Sequence, residues 1–363
     1  MTLISIIGDF HSSILPISYE FREQMGTHII VYDNARCNVK NAERLVQGQK
    51  AYLKCSANCD YRVLAYGIDG DSYENIMECL EYILAEAKLV DDVYLNATHG
   101  LSSVGLVLSH ELLLLGAKVI AYDRFANRYN LHTSNGMHKK QMTHNMDIAT
   151  HLQLKGYTLR KYSNPKEMAK RKEGIISLCK NLSEFKAFTS KLQGTNIDNI
   201  AGYETYKKTL QDMGKYKATT FTQGTVFEEY IYHLIVDNFD FDDVMTGVLI
   251  EVETGVQNEI DILMIKDNHL HTIECKLVNG LDGEHFVYKT DLVMEYLDDD
   301  RKAMILSIGG KNERRTKSGK RRVQFSQGDK ARAKYGDINI HQREMFDEER
   351  FLRDVREWFL NRR

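Results

Sequence analysis

The segment "EIDILMIKDNHLHTIECKL" (residues 259–277) places charged side chains inside two apolar runs that flank a short polar stretch. Asp267 and Asn268 are residues typical of a two-residue hairpin turn. If they form the turn, Lys266 pairs with His269, and this pair sets the register of two antiparallel strands. The segment therefore predicts a β-hairpin with ionisable residues on both strands.

Four of these ionisable residues meet on the predicted hairpin. The register places Asp261 directly opposite Glu274, and Glu259 opposite Lys276. Because side chains alternate between the two faces of a strand, all four lie on one face. Two carboxylates at a cross-strand distance of about 5 Å in apolar surroundings need a cation between them, or one must be protonated. Mg²⁺ or Mn²⁺ fits this position because hard cations take oxygen ligands.

The lysine beside these carboxylates suggests a chemistry for the group. In phosphodiester hydrolysis a divalent metal polarises the phosphate and lowers the pKa of a bound water. Lys276 would orient that water or stabilise the charge that develops on the phosphate. The alternative is a solvated strand edge with cross-strand salt bridges. The apolar neighbours leave little room for a solvated face; they are Ile262, Leu263, Met264, Ile265, Ile273 and Leu277. The pattern therefore favours a metal site.

This arrangement resembles the PD-(D/E)xK nuclease superfamily, in which an acidic residue on one strand precedes an acid-x-Lys motif on the next. Here Asp261 precedes Glu274-Cys275-Lys276, and the leading "PD" of the pattern is "ID". The resemblance implies a restriction-endonuclease-like α/β domain. It also implies that Asp261 and Glu274 are metal ligands and that Lys276 is catalytic.

Many members of the superfamily add a glutamate from the preceding helix. The stretch GTVFEEY at 224–230 matches the setting of that residue, which favours Glu228 as a third metal ligand. Helical spacing alone does not separate Glu228 from Glu229. Lys289, on the helix that follows the hairpin, is a further candidate because it would reach a phosphate.

A basic segment follows this region. Residues 311–334 contain ten Lys and Arg residues against two acidic residues, although the whole chain has a net charge of −3. Such a distribution suits a polyanionic substrate, and the alternative is a flexible solubilising loop. Because no base-reading motif is present, we expect contacts to the nucleic-acid backbone and little duplex sequence specificity.

The first part of the chain alternates strand and helix patterns. We predict strands at 3–9, 27–33, 62–69, 91–98 and 117–123, and helices at 38–54, 71–89 and 102–116. This alternation predicts an α/β, Rossmann-like domain with a parallel sheet and helices on both faces. A hairpin or an irregular loop is expected at 127–140, and a last strand of this domain within 156–165. Farther along, we predict a helix at 222–239, a strand at 244–253, a helix at 283–299 and a strand at 301–310.

Polar residues follow two strands of the predicted parallel sheet, where such sheets bind ligands. The candidate binding residues are Asp9, Phe10, His11, Ser12 and Ser13 after the first strand, and Asn96, Thr98, His99, Gly100, Leu101 and Ser102 after the fourth. Small and hydroxyl residues at a helix N-terminus favour phosphate. The alternative is helix capping by Ser102 or Ser103. Neither GxGxxG nor GxxxxGK[ST] occurs, so a dinucleotide cofactor or ATP hydrolysis is not indicated.

These strand ends, with the N-x-T-x-G stretch at 96–100, resemble the CARF domain (CRISPR-associated Rossmann fold), which senses cyclic oligoadenylate in type III CRISPR defence. In place of the usual N-x-T-G-G-T-K, this chain has His99 for the first glycine and Leu101-Ser102 for Thr-Lys. The resemblance implies a CARF-like domain at 1–155, a hinge or helical linker at 156–215 and a nuclease domain at 216–363. It also implies a homodimer that binds cyclic tetra-adenylate on its two-fold axis and then cleaves single strands of DNA, RNA or both.

The bulk sequence limits the class of protein. With 363 residues the chain suits two domains, and it has no apolar run of membrane-spanning length. Its six scattered cysteines favour reduced thiols and a cytoplasmic location. Two other functions remain open. One is a ligand-responsive transcription regulator, for which no helix-turn-helix pattern is found in the C-terminal half. The other is a constitutive restriction-type or repair nuclease whose first domain is only a scaffold.

Overall fold

The structure is a computed structural model of the chain. It describes residues 1–7, 14–35, 39–56, 62–98, 103–192, 199–213, 223–253, 255–277, 283–297, 302–308, 313–315, 321–323, 325–343 and 345–361. The chain divides into two compact units, one comprising Met1–Thr158 and the other Leu159–Leu297 with Arg301–Arg363.

The first unit is built on a seven-stranded sheet. Its strands are β1 (Thr2–Ile7), β2 (Thr27–Asp33), β3 (Arg62–Ile68), β4 (Val93–Asn96), β5 (Lys118–Asp123), β6 (Arg128–Thr133) and β7 (Gly136–Gln141). Its helices are α1 (Ile14–Glu20), α2 (Val39–Ser56), α3 (Tyr73–Glu86), α4 (Ser103–Leu114) and α5 (Ile148–Leu154). The predicted alternation of strands and helices is confirmed, and the 127–140 stretch lies in a hairpin of β6 and β7.

The sheet order is β3-β2-β1-β4-β5-β6-β7, with β1 to β5 parallel and β6 and β7 antiparallel. Every residue of β1 is buried, as expected for a strand that helices cover on both faces. Because β1 lies between β2 and β4, the strand order reverses there. The carboxyl ends of β1 and β4 are therefore neighbours at a topological switch point.

The second unit contains a six-stranded mixed sheet and a short two-stranded ribbon. Its strands are β8 (Thr158–Lys161), β9 (Asp243–Glu253), β10 (Val256–Lys266), β11 (His269–Lys276), β12 (Lys302–Ile308), β13 (Glu313–Arg315), β14 (Arg321–Val323) and β15 (Ile338–Arg343). Its helices are α6 (Pro165–Cys179), α7 (Leu182–Leu192), α8 (Glu204–Asp212), α9 (Gln223–Asn238), α10 (Gly283–Leu297), α11 (Gln327–Tyr335) and α12 (Glu348–Val355). The sheet order is β15-β12-β11-β10-β9-β8, and β13 pairs with β14. The α/β fold class predicted from the sequence is confirmed in both units.

The prediction that 156–165 holds the last strand of the first domain is wrong. Strand β8 is the edge of the second sheet, next to β9. Two contacts join the segment to β9: Arg160 Nε lies 2.6 Å from Glu251 Oε2, and the Ser163 N–H donates to the Thr246 carbonyl at 2.9 Å. The strand has no buried residue, so its sequence lacks the apolar pattern that would have assigned it to either sheet.

The helices that follow β8 belong to the core of the second unit. Ile175, Phe185 and Phe188 lie in one buried cluster with Val226 and Phe227 of α9. The role of 156–215 as a hinge stays a prediction. Within the part of the chain that the structure describes, no helix has both the length and the apolar character needed to cross a bilayer.

The predicted hairpin forms with the predicted register. Asp267 and Asn268 have φ angles of 51° and 69°, as the two central positions of a type I′ turn require. Lys266 pairs with His269, and the ladder continues to the pair of Ile262 and Ile273. Strands β10 and β11 therefore bring Asp261 and Glu274 next to each other, one position beyond the last ladder pair.

Candidate active site

Asp261 is held from both its main chain and its side chain. Its Oδ2 accepts the Cys275 N–H at 2.8 Å and the Lys276 ammonium at 3.0 Å, and its carbonyl accepts the Thr246 hydroxyl at 2.7 Å. The carboxylate thus takes the amide hydrogen of β11 just where the regular ladder stops. Gly247, beside Thr246 on β9, has a φ of +60°, a conformation that favours glycine, and its added Cβ would lie 3.0 Å from Ser163 Oγ.

Glu274 is the second carboxylate of the group. Its Oε1 lies 2.8 Å from Lys276 Nζ and 3.1 Å from Lys289 Nζ of α10. Lys276 therefore joins both carboxylates, and its ammonium also lies 5.2 Å from the centre of the Phe286 ring. The sequence placed Lys289 near a phosphate; in this structure it is bound to Glu274.

Burial excludes a solvated strand edge for the two carboxylates. Asp261 and Glu274 are each only 7% exposed, so the cross-strand pair is not a surface salt bridge. Glu259, which the sequence placed on the same patch, is exposed. The compact group is therefore Asp261, Glu274 and Lys276, with Glu259 at its rim.

The structure shows which of the two helix glutamates, Glu228 or Glu229, faces the acidic group. Glu229 turns toward α6, where Arg171 binds it, and is 2% exposed. Glu228 is partly exposed and lies close enough to Asp261, Glu259 and Glu274 for their charges to act on it. Glu228 is therefore the helix residue that faces the acidic group.

The pKa shifts in this group arise because several carboxylates lie close together and are largely buried. Burial, followed by the charge of Asp261, raises the pKa of Glu228 to about 8. Burial and then Glu274 raise the pKa of Asp261 above its ordinary value. Burial by itself would lower the pKa of Lys276, but Asp261 and Glu274 outweigh burial and raise it.

These residues fit a hard divalent cation. Glu228, Asp261 and Glu274 offer only oxygen ligands, which Mg²⁺ and Mn²⁺ prefer. Burial and the neighbouring carboxylates raise the pKa of Glu228, and an added cation would favour its ionised form. Among the described residues, no three acidic, His or Cys side chains are already arranged to share one ion. The Lys276 ammonium now contacts both Asp261 and Glu274, so an ion shared by the two carboxylates would have to displace it from at least one of them.

An exposed basic and aromatic surface lies on α10 and α11. Arg332 stacks on Tyr288, with its Cζ 3.9 Å from the ring centre, and Tyr335 is 94% exposed. Lys330 and Lys334 are exposed on the same helix. Of the predicted basic segment, 313–315 and 321–323 form the antiparallel ribbon of β13 and β14. The other basic residues before α11 lie outside the described residues.

Only two of the eleven ligand-binding candidates in the first unit are described. The Asn96 carboxamide accepts the N–H and the hydroxyl of Thr98, and the Thr98 Oγ1 accepts the Tyr122 N–H at 3.1 Å. Asn96 and Thr98 thus fix the start of the loop after β4. The other candidates, Asp9, Phe10, His11, Ser12, Ser13, His99, Gly100, Leu101 and Ser102, lie outside the described residues. The hydroxyl of Ser103, one of the two alternative caps, instead donates to the Gly70 carbonyl at 2.6 Å.

Sequence reasoning missed the residues that support the acidic group. Thr246 binds the main chain of Asp261, and Arg171 binds the neighbour of Glu228. Both contacts join segments that are distant in sequence and follow no motif. The sequence contains one local signal for this region, which is Gly247 inside the apolar pattern of β9. A glycine within a strand often marks an irregular backbone, and Gly247 has a positive φ.

Comparisons with known proteins identify a similar endonuclease domain and similar whole-chain folds. Residues 215–329 match the family model of the Card1-like endonuclease domain. Protein VC1899 from Vibrio cholerae has a similar fold, with a TM-score of 0.71 and 17% identity over 99% of this chain and 97% of that chain. Can2 from Sulfobacillus thermosulfidooxidans, solved in complex with cyclic tetra-adenylate, gives a TM-score of 0.68 and 17% identity over 98% of each chain. Comparison with curated protein sequences finds no match. The resemblance predicted from the sequence is confirmed.

Proposed function

We propose that this protein is a divalent-metal-dependent nuclease of type III CRISPR antiviral defence, and that cyclic tetra-adenylate activates it. The observation that carries the proposal is the buried group of Asp261, Glu274 and Lys276, with Glu228 facing it from α9. The match of 215–329 to the Card1-like endonuclease domain supports the same assignment.

Each residue of the group has a distinct part in this proposal. Asp261, Glu274 and Glu228 would hold Mg²⁺ or Mn²⁺, which supplies positive charge for the phosphate and acidity for the attacking water. Lys276, released from one carboxylate, stabilises negative charge on the phosphate or orients the water. Lys289, whose ammonium lies 3.1 Å from Glu274 Oε1, would contact a neighbouring phosphate.

The proposed substrate is single-stranded DNA, RNA or both. Single strands bind where basic side chains follow the backbone and aromatic rings stack on bases. Tyr288 and Tyr335 are exposed beside Arg332, and Lys289 joins this surface to Glu274. A duplex offers no free base faces to such rings, so we expect single strands to be preferred.

The proposed activator site is the switch point between β1 and β4. The loops after these strands contain Ser12 and His99, which we propose as ligand contacts with the other candidates at 9–13 and 96–102. The similarity in fold to Can2, solved with cyclic tetra-adenylate, supports this ligand class. Cys79, Cys179 and Cys275 are buried free thiols, which is consistent with action in a reducing cytoplasm.

We propose a homodimer that forms through α4. This helix follows the β4 loop and exposes Leu106, His110 and Leu114 at successive turns, with the two leucines 69% and 70% exposed. An apolar stripe of this kind needs a partner. A second copy fits because a two-fold axis beside α4 would bring two β4 loops to one ligand that itself has matching halves.

Leu106→Glu with Leu114→Glu should convert the dimer to a monomer, because each protomer would bury two carboxylates at the interface. Each change should weaken association at least about tenfold. Light scattering after size exclusion measures the mass. Leu89→Glu is the matched control, because Leu89 is a single exposed leucine outside α4. An unchanged mass in the double variant would contradict the assigned interface.

A cleavage assay on the full chain tests the proposed function. Labelled single-stranded DNA, single-stranded RNA and duplex DNA are incubated with Mg²⁺ or Mn²⁺, with and without cyclic tetra-adenylate. We expect cleavage of single strands only when metal and activator are both present. Equal cleavage without the activator would indicate a constitutive nuclease. Sequence-specific duplex binding without strand breaks would indicate a regulator.

Mg²⁺ should raise the melting temperature more at about pH 8.5 than at about pH 6. Without metal, the Glu228 pKa is raised from 4.5 to about 8, so the folded state keeps a proton that the unfolded chain loses in this range. Stability of the metal-free protein therefore falls as the pH rises through this window, whereas metal binding improves as that proton leaves. Glu228→Gln should flatten the difference. Equal shifts at both pH values in the wild type would contradict this role of Glu228.

A further inference from the structure

An ion pair between α6 and α9 lies next to the proposed helix ligand. The Arg171 Nε and Nη2 donate to Glu229 Oε2 at 3.0 Å and 2.8 Å. The second oxygen, Oε1, lies 3.6 Å from His233 Nε2, one turn farther along α9. The side chains of Glu229 and Arg171 are 3% and 17% exposed, so the pair is largely withdrawn from water.

The pair constrains the rotation of α9 about its axis, in addition to the apolar residues of α9 that pack in the core. Consecutive residues of an α-helix point about 100° apart, because a turn contains 3.6 residues. When Glu229 is held on Arg171, the direction of Glu228 is therefore set, and it is the direction of Asp261 and Glu274. The next residue, Tyr230, is held in turn by Glu348 of α12, with 2.9 Å between the hydroxyl and Oε2.

Stability alone gives a weak reason for this pair. Removing two charges from water costs free energy that their attraction often does not recover, and apolar replacements of buried pairs are frequently as stable. A packed apolar pair would not hold a neighbouring ligand in one direction, because apolar contacts are not directional. The buried position beside Glu228 therefore points to orientation as the function.

The segment that carries Arg171 also contacts strand β9 beside Asp261. Ser163 precedes α6, and its N–H donates to the Thr246 carbonyl at 2.9 Å. The Thr246 hydroxyl donates to the Asp261 carbonyl at 2.7 Å. The start of α6 and its middle are thus linked to the elements that carry Asp261 and Glu228.

We propose that Arg171 and Glu229 are positioning residues that set the direction of Glu228 and thereby the metal affinity of the site. The inference rests on the proposed function, since it treats Glu228 as a metal ligand. It assigns to α6, which lies in the segment predicted as a hinge, a direct structural connection to the acidic group.

The test compares Mn²⁺ binding and melting temperature in the full chain. In Arg171→Met with Glu229→Met, two apolar side chains replace the pair, so we expect the melting temperature to stay close to that of wild type. The Mn²⁺ dissociation constant from titration calorimetry should rise about 10- to 100-fold, as when a residue that orients a ligand is lost. Lys172→Gln with Asp237→Asn is the matched control. It removes an exposed ion pair between the same two helices, 2.6 Å long, and should leave Mn²⁺ affinity unchanged.

The outcomes separate this inference from the proposed function. Wild-type Mn²⁺ affinity in the double methionine variant would overturn the inference and leave the metal site intact. No Mn²⁺ binding by the wild type would overturn the metal site and the inference with it. If the double variant does not fold, the Mn²⁺ affinities of the single variants Glu229→Gln and Arg171→Met are compared instead. The glutamine keeps an oxygen for Arg171 and should bind Mn²⁺ as wild type does, whereas Arg171→Met frees Glu229 and should bind more weakly. Equal affinities of the two would overturn the inference.

Discussion

Glu274→Gln should cleave nucleic acid at least about a thousand-fold more slowly than the wild type. The glutamine keeps the size of the side chain but removes the negative charge that binds Lys276 and Lys289 and would bind the metal. The fold should survive, because Asp261 still accepts the Cys275 N–H and the Lys276 ammonium. The measurement is the initial rate of single-strand cleavage with saturating activator and Mn²⁺.

Glu284→Gln is the matched control for this variant. Glu284 is an exposed carboxylate at the start of α10, a short distance along the chain from Glu274, and no cleavage role is assigned to it. Its variant should cleave as the wild type does. Both variants should bind cyclic tetra-adenylate with wild-type affinity, because the proposed activator loops lie in the first unit. Cleavage by Glu274→Gln within tenfold of wild type would remove Glu274 from the catalytic group.

Lys276→Met should lose cleavage while it gains metal affinity. The ammonium stabilises the phosphate in the proposed reaction, so its loss should slow cleavage about 10²- to 10³-fold. In the metal-free protein the same ammonium joins Asp261 and Glu274, and a cation that binds there must displace it. Without that competitor, Mn²⁺ should bind more tightly than in the wild type.

The metal-free Lys276→Met protein should also be less stable. Two buried carboxylates lose their shared partner, which costs about 3 kcal/mol, at the low end for a broken buried pair because Lys276 is partly exposed. Saturating Mn²⁺ should restore most of this loss. Lys266→Met is the control, since Lys266 lies on the same hairpin 3.6 Å from Asp240 and from Asp242. Weaker Mn²⁺ binding in Lys276→Met than in the wild type would contradict the competition.

The hairpin could be predicted in detail from sequence because its signals are local. The Asp267-Asn268 turn sets the register, and strand alternation then assigns the face of every residue from Lys266 to Glu274. The register did not predict that the main-chain pairing ends at Ile262 and Ile273. There the Asp261 side chain, not a main-chain carbonyl, accepts the Cys275 N–H. The Thr246 hydroxyl binds the Asp261 carbonyl, and the next residue of β9, Gly247, has a positive φ.

Contacts between residues that are far apart along the chain could not be predicted from the sequence. Helical spacing did not distinguish Glu228 from Glu229, because the difference lies in Arg171, which is 58 residues earlier on another helix. Strand β8 was assigned to the wrong sheet for a similar reason. Its exposed residues form no apolar pattern, and its pairing with β9 is supported by the ion pair of Arg160 and Glu251.

The central claim is that Asp261 and Glu274 hold a divalent ion, and anomalous diffraction from a crystal soaked in Mn²⁺ tests it most directly. We predict an anomalous peak about 2.0–2.3 Å from one oxygen of each carboxylate, with the Lys276 ammonium withdrawn from at least one of them. A crystal with Mn²⁺ bound elsewhere, no peak between these two oxygens, and Lys276 still joining both carboxylates would contradict the claim.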